Sequence, residues 1–378
     1  MQESKELPLL GSEYSGHAIR TRKVKIDNPK AFKKEIEEAG RILKAGGLVA
    51  FPTETVYGLG ADGLNGEACA AIYEAKGRPS DNPLILHIAD WDMLGQITEG
   101  VPHIAEMLMT AFCPGPLTLI LKKSGIVPER VTGGLDTVGI RMPDNDIARA
   151  LIRSGGCPVA APSANLSGRP SPTTADAVFK DMNGRIPMIL DGGACRFGVE
   201  STIVDCTGKR AMILRPGAIT REMLEDVLGE VDVDHALIGN GDIPRAPGMK
   251  YTHYAPKAPL TLIESCPELM PEAFRSEIVR LTGEGHRPGI IASDEVVEAL
   301  TGLVPQELRV SYGRQGNLRE IAARLYEALR SFDDRDADVL LAEGTDDMGI
   351  GLAIMNRLHK ASGFRSIIWG KEGGYEKE

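Results

Sequence analysis

The sequence predicts an α/β protein in two parts: a larger domain with a mixed, twisted sheet and helices, then a smaller doubly wound domain with a parallel sheet. Three observations carry this. Over roughly the first 230 residues, short apolar runs alternate with helical stretches, without strict strand-helix-strand repetition. From Leu260 onward strand and helix alternate regularly. Between them, Gly239 to Pro259 holds four prolines and three glycines and no periodic apolar face, the composition of a linker. The expected boundaries are 20–230 for the first domain, 231–258 for the linker and 259–370 for the second domain.

Taken in order, the opening stretch to Gly16 is polar and reads as an arm. A helix follows, with Asn28 as its cap, Pro29 at its first position and Phe32, Ile36, Ala39 and Leu43 as its apolar stripe. Gly46 and Gly47 stop it, and residues 48–51 form a buried strand. Further strands are expected at 84–88, 117–121, 138–141, 159–161, 188–190, 202–204 and 212–214, with helices at 67–76, 104–112, 146–154, 175–182 and 221–228. In the second domain, strands at 260–263, 289–292, 310–312 and 339–342 alternate with helices starting at 268 and 295 and spanning 318–332 and 352–361.

Composition bounds the function. Hydrophobic residues make up 42% and charged residues 25%, which places the chain among ordinary globular proteins. No apolar run approaches the roughly 20 residues that cross a bilayer. The first thirty residues carry Glu3, Lys5, Glu6 and a basic cluster from Arg20 to Lys25 in place of a signal-peptide core. A cytoplasmic protein with no membrane contact is expected. The six cysteines form no CxxC pair and none sits beside a histidine at metal-ligand spacing, so they read as reduced, mostly buried thiols. The net charge is −10; from Pro259 onward 14 Lys+Arg face 21 Asp+Glu. Broad attraction to nucleic acid is not expected, although a local basic groove in the first part stays open.

Two motifs of complementary chemistry stand out. KGRPSDNPL, from Lys76 to Leu84, offers two cations and an amide on a proline-restricted backbone. PSANLSG, from Pro162 to Gly168, packs Ser163, Asn165 and Ser167 into one loop. Cations with small hydroxyl and amide groups suit a polyanion such as a nucleotide triphosphate. No GxxxxGK[ST] loop is present, so ATP would be held in another way. The plainer reading of Lys76 and Arg78 is a complement to a helix C-terminal dipole. PTETVYGLG, just after a strand, presents Thr53, Glu54, Thr55 and Tyr57 where loops meet ligands; its plain alternative is a polar turn. The GLGADG inside and after it matches GxGxxG only weakly, because TETVY separates it from the preceding strand. Arg141 ends an apolar strand and needs an anion, either a substrate carboxylate or an internal acid. His87 lies in a strand, where a satisfied core histidine is the plain reading. ESTIVD and LRPG add Ser201 and Arg215 at strand ends. MGIG reads as a tight turn into a helix, and Asp346 and Asp347 argue against phosphate there. No Ser/His/Asp or Cys/His nucleophile, HxxxH or DxDxDG pattern is present, so no protein-held metal is expected.

Together PTETVYGLG, KGRPSDNPL, the SAN of PSANLSG, ESTIVD, LRPG, PGMKYTHYAP and GIGLAIMNRL resemble the L-threonylcarbamoyladenylate synthases in their two-domain form, with a YrdC-like first domain and a Rossmann-like second one. The resemblance covers nearly the whole chain. It implies synthesis of threonylcarbamoyl-AMP from L-threonine, bicarbonate and ATP, with Mg²⁺ arriving on the ATP, and delivery of the product to downstream proteins that modify tRNA with threonylcarbamoyladenosine. It implies a threonine side formed by Thr55, His87, Arg141, Ala161 and Ser201. The nucleotide side would be Lys76, Arg78, Asn82, Thr137, Ser163, Asn165, Ser171, Arg215 and Tyr254, with Tyr251 or His253 as alternatives to Tyr254. Lys76, Arg78, Ser163 and Asn165 would be the catalytic set. The linker would fold over the site, and direct tRNA binding stays open. Two other classes stay open: a non-catalytic RNA-binding module and a carbamoyl transferase with another acceptor.

Overall fold

The computed structural model describes residues 19–234 and 254–370, together with the backbone of a short strand at Tyr375–Glu376. The arm before Gly16, and Tyr251 and His253 of the linker, lie outside the described residues.

The first domain is built on one sheet of eleven strands: β1 (Arg22–Lys25), β2 (Val49–Phe51), β3 (Gly58–Asp62), β4 (Ile85–His87), β5 (Leu117–Lys122), β6 (Thr137–Arg141), β7 (Val159–Ala160), β8 (Met188–Asp191), β9 (Thr202–Asp205), β10 (Met212–Arg215) and β11 (Asp232–Val233). They lie in the order β1-β8-β2-β3-β7-β4-β6-β5-β9-β10-β11. Pairing is mixed: β4 runs parallel to β6 and β5 to β9, while β3, β4 and β6 oppose β7, β7 and β5. Among the described residues eight helices accompany it: α1 (Lys33–Lys44), α2 (Gly66–Lys76), α3 (Trp91–Ile97), α4 (His103–Phe112), α5 (Glu129–Thr132), α6 (Asp146–Gly155), α7 (Ala175–Met182) and α8 (Arg221–Leu228).

The second domain holds five parallel strands, β12 (Leu260–Ser265), β13 (Pro288–Ala292), β14 (Arg309–Ser311), β15 (Val339–Glu343) and β16 (Ser366–Trp369), closed by antiparallel β17 (Tyr375–Glu376). Their order is β14-β13-β15-β12-β16-β17. Helices α9 (Met270–Gly283), α10 (Asp294–Ala299), α11 (Leu318–Ser331) and α12 (Gly351–Ser362) alternate with them, α9 packing on α10 and α11 on α12.

Most elements arise where the sequence places them, with local differences of physical interest. Asn28 does not cap α1. Its side chain accepts from Lys30 N at 2.9 Å within a turn over 29–32, and the helix starts at Lys33. GLGADG is no phosphate loop, because Gly58–Asp62 is β3 itself, running antiparallel to β2. Its glycines serve packing: a Cβ on Gly60 would lie 2.8 Å from the Phe51 ring. The basic run near Arg22 forms an edge strand beside β8. MGIG is a turn into α12, with Asp346 Oδ1 accepting from Met348 N.

Apolar packing does not stop at the domain boundary. Val56 and Val199 of the first domain belong to the same buried cluster as Leu262, Tyr326 and Ile354 of the second. No helix among the described residues is long and apolar enough to cross a membrane.

Candidate active site

A cleft with about 690 Å³ of space, the solvent at its open mouth included, lies on the face of the central sheet of the first domain. Ligands of open α/β sheets commonly sit beyond strand ends; here the floor is instead made by side chains that strands project from one face. His87 and Arg141 are register partners on β4 and β6, and Ile85 pairs with Gly139 two residues earlier. Period-two alternation puts all four on one face. Loops then build the walls.

The loop 162–168 forms one wall, and α2 holds it. Asn65 caps α2, accepting from Glu67 N and Ala68 N, and Gly77 ends it in the left-handed conformation. That sets Lys76 at the last turn, where it is 2% exposed. Its ammonium donates to the carbonyl oxygens of Ser163 and Asn165, both at 2.5 Å. The dipole reading of Lys76 therefore gives way to a clamp on the loop. Burial first, and Arg78 second, push its pKa well down. Ser163 Oγ donates to Asn165 Oδ1 at 2.5 Å, and Asn165 Nδ2 donates to the carbonyls of Leu166 and Arg169. Backbone bonds from Leu59 N to Pro162 O and from Ala164 N to Tyr57 O tie the same loop to the PTETVYGLG segment.

Arg78 is half-buried beside it. Its Nη2 donates to the carbonyls of Asn82 and Pro83 at 3.3 and 3.1 Å. Burial lowers its pKa to about 10. Arg141, 5% exposed, meets the carboxylate of Glu54 at 2.8 Å. The internal acid is thus its partner in this structure. Charge is matched, but the angles leave Arg141 Nη2 and both Glu54 oxygens without a hydrogen bond. Eight buried side-chain polar atoms lack hydrogen bonds among the described residues, and five are these three, Arg78 Nε and Asn82 Oδ1. Such groups are costly to leave unmatched, and their gathering around one cleft marks a site built for a polar ligand.

His87 is buried, with Nδ1 3.3 Å from Ile85 O and its ring edge-on to Phe51. Burial, then Arg141, pulls its pKa to about 3, so the imidazole is neutral near pH 7 and offers hydrogen bonds rather than charge. Opposite, Arg215 Nε donates to Ser201 O at 3.0 Å and Nη2 to Ser201 Oγ at 3.1 Å, while Ser201 Oγ also pairs with Thr118 Oγ1 at 2.7 Å. Tyr254, buried with φ of 67°, closes this end, its ring tilted by 32° against that of Tyr326 with centroids 5.1 Å apart.

Of the residues singled out in the sequence, Lys76, Arg78, His87, Arg141, Ala161, Ser163, Asn165, Ser201, Arg215 and Tyr254 line this cleft together. Thr55, Asn82, Thr137 and Ser171 do not line it. Thr55 is fully buried behind it, its hydroxyl 2.9 Å from Thr53 Oγ1. Asn82 supports Arg78 through its carbonyl. Ser171 donates to Glu200 Oε1 at 2.5 Å. Thr137 opens β6 beside Lys122, about 13 Å along the strand from Arg141 by the usual rise.

Sequence reasoning missed Glu54 as the partner of Arg141 and Glu200 as a hub, although each stands beside a residue it had chosen. Thr118 gave no signal. The five thiols with a resolved shift, at Cys69, Cys113, Cys157, Cys195 and Cys206, are pushed by burial to about 12; they are unreactive packing groups.

Comparison with known proteins agrees with this layout. A family model described as "Telomere recombination" matches residues 41–217, and one described as "Threonylcarbamoyl-AMP synthase, C-terminal domain" matches residues 219–363. The threonylcarbamoyl-AMP synthase of Bacillus subtilis is 50% identical over 88% of this chain and 94% of its own length. That of Pyrococcus abyssi is 46% identical over 88% and 95%. The solved P. abyssi Sua5 complexed with L-threonine superposes with a TM-score of 0.86 at 45% identity, covering 92% of this chain and 99% of that one. On the length and identity of these matches, the chain belongs to the threonylcarbamoyl-AMP synthase family.

Proposed function

We propose that this protein condenses L-threonine, bicarbonate and ATP into L-threonylcarbamoyl-AMP, releasing pyrophosphate and water, in the cytoplasm, and that the product feeds threonylcarbamoyladenosine modification of tRNA through downstream transfer proteins. The observation that carries the reading is the single cleft in which Arg141, His87 and Ser201 face the Lys76-clamped loop and Arg78.

Arg141 is the group for the threonine carboxylate. A carboxylate bound bidentately satisfies the guanidinium atom that Glu54 leaves without a hydrogen bond. Neutral His87, Thr55 behind the floor, Ala161 and Ser201 complete that side. On the other, Arg78 meets phosphate with its free Nε, Ser163 and Asn165 hydrogen-bond phosphate or the bicarbonate-derived group, and Arg215 and Tyr254 flank the nucleotide. Asn82, Ser171 and Thr137 act from behind the lining. Lys76 keeps the loop in register.

The chemistry needs no covalent enzyme intermediate. The threonine amine attacks the carbon of bicarbonate and water leaves, giving a carbamate. A carbamate oxygen attacks the α-phosphorus of ATP, and the bond to the β-phosphate bridging oxygen breaks to release pyrophosphate. Positioning and charge neutralisation supply the rate. Mg²⁺ belongs to the ATP in this reading. Among the described residues no cluster of three His, Cys, Asp or Glu side chains could hold it, and no step here depends on it.

The test is a screen of pyrophosphate release with each of the twenty amino acids, with and without bicarbonate, and detection of the adenylate by mass spectrometry. Release with threonine alone, lost without bicarbonate and in Arg78→Ala, supports the reading. Release that ignores the amino acid or favours another acceptor overturns it.

A further inference from the structure

Glu200 stands one residue before Ser201 and its carboxylate is gripped from both domains. Ser171 donates to Oε1; from α11, the Tyr326 hydroxyl donates to Oε2 at 2.8 Å; from α12, Arg357 Nε donates to Oε2 at 3.1 Å. Arg357 has no exposed surface at all. Its Nη1 donates to Pro216 O at 2.6 Å. One guanidinium from the second domain thus holds both chain segments that bear Ser201 and Arg215. Those segments touch: a Cβ on Gly217 would fall 2.4 Å from Thr202 N. Arg215 in turn donates to Ser201. Among the described residues, the ion pairs of Arg330 with Asp181, Arg169 with Asp333 and Lys180 with Asp334 also join the domains, and these three engage no residue of the cleft.

We propose that Arg357 and Tyr326 are positioning residues for the reaction: by fixing Glu200 and the Pro216 carbonyl they set Arg215, so the second domain completes the nucleotide side of the cleft. This rests on the reading of Arg215 as a nucleotide-side group. The charged and titratable groups facing Glu200 are Arg215 from β10, Tyr254 from the chain entering the second domain, Tyr326 from α11, and Arg357 and Lys360 from α12. Burial raises the Glu200 pKa, but Arg357 and Arg215 outweigh it and hold the carboxyl at about 2.

The experiment compares full-length Tyr326→Phe, Arg357→Lys and Arg357→Met with the unaltered protein in threonine-dependent pyrophosphate release from pH 5 to 9, alongside thermal unfolding. Tyr326→Phe, which loses one oxygen, raises KM for ATP about fivefold and leaves KM for threonine within about twofold. Arg357→Met lowers kcat/KM for ATP by about 100-fold and adds an ascending limb on the acid side, because the Glu200 carboxyl now takes up a proton as pH falls. Arg357→Lys restores part of the activity and removes that limb. A merely structural pair would lower the melting temperature without the limb and without separating the two KM values. Wild-type kinetics in Tyr326→Phe and Arg357→Lys, or equal changes in both KM values, overturn the proposal; Tyr326→Phe decides if Arg357→Met does not fold. If the unaltered protein releases no pyrophosphate with threonine, the functional reading fails instead.

Discussion

The ammonium of Lys76 lies 2.5 Å from the carbonyl oxygen of Asn165, 89 residues further along the chain. With the equal contact to Ser163 O, it turns the end of α2 into the anchor of the serine-asparagine loop. Replacing Lys76 with Met removes the donor from the buried Asn165 carbonyl and the part-buried Ser163 carbonyl, at about 1–3 kcal/mol each. Urea unfolding is therefore expected to show a loss of about 2–6 kcal/mol together with loss of activity. A side chain that only met substrate phosphate would leave the urea midpoint in place.

Arg141 and Glu54 predict a selective kinetic change. Arg141→Ala would strand a buried carboxylate, a loss of about 3–5 kcal/mol. Arg141→Lys keeps the charge and removes the planar fork. It is expected to raise KM for threonine about tenfold, with KM for ATP within about twofold. A larger rise for ATP would mean that the two sides of the cleft are exchanged.

His87 makes the fold acid-sensitive. Its pKa is about 3 folded against about 6.5 unfolded. Between these values the unfolded chain binds the proton and the folded chain does not, so stability falls as pH falls, by roughly 3–5 kcal/mol over the whole window. Glu200, with its carboxyl at about 2, adds stability that is lost only below about pH 4.5. Of these two groups, His87 alone acts from pH 6.5 to 4.5. His87→Gln is expected to flatten the stability curve there; an unchanged slope in urea melts would show that the imidazole is protonated in the folded protein.

Gly198 meets α11 so closely that only glycine fits. Its φ is 74°, and a Cβ would sit 2.3 Å from Ala322 O. Gly198→Ala is expected to cost about 2–3 kcal/mol and to lower activity through the neighbouring Glu200 segment. Calorimetry showing unaltered unfolding would contradict that close approach.

Much of this was legible in the chain because local signals agreed with the final packing. The 175–182 and 221–228 helices were read at their observed limits, each with a threonine cap and an apolar stripe. Short apolar runs mark β5, β6 and β9. β3 was harder: its glycines look like a turn, and only the Phe51 ring across the strand pair explains them. β1 and α3 were hidden because a four-residue polar edge strand and a seven-residue helix carry almost no periodicity. In the site, the polar residues were visible and their allegiances were not. Whether Arg141 meets Glu54, or Lys76 meets a carbonyl rather than a phosphate, depends on contacts across 87 or more positions that no local pattern encodes. The role of Glu200 was less visible still, since Tyr326 and Arg357 lie 126 and 157 residues away.

The central claim is that one cleft brings an amino acid and a nucleotide triphosphate together. A crystal structure of this protein with L-threonine and a non-hydrolysable ATP analogue tests it most directly. The account predicts the threonine carboxylate within about 3 Å of the Arg141 guanidinium and the triphosphate against Arg78, Ser163 and Asn165 in the same cleft. Threonine and nucleotide on separate surfaces, or density for either only outside this cleft, would contradict it.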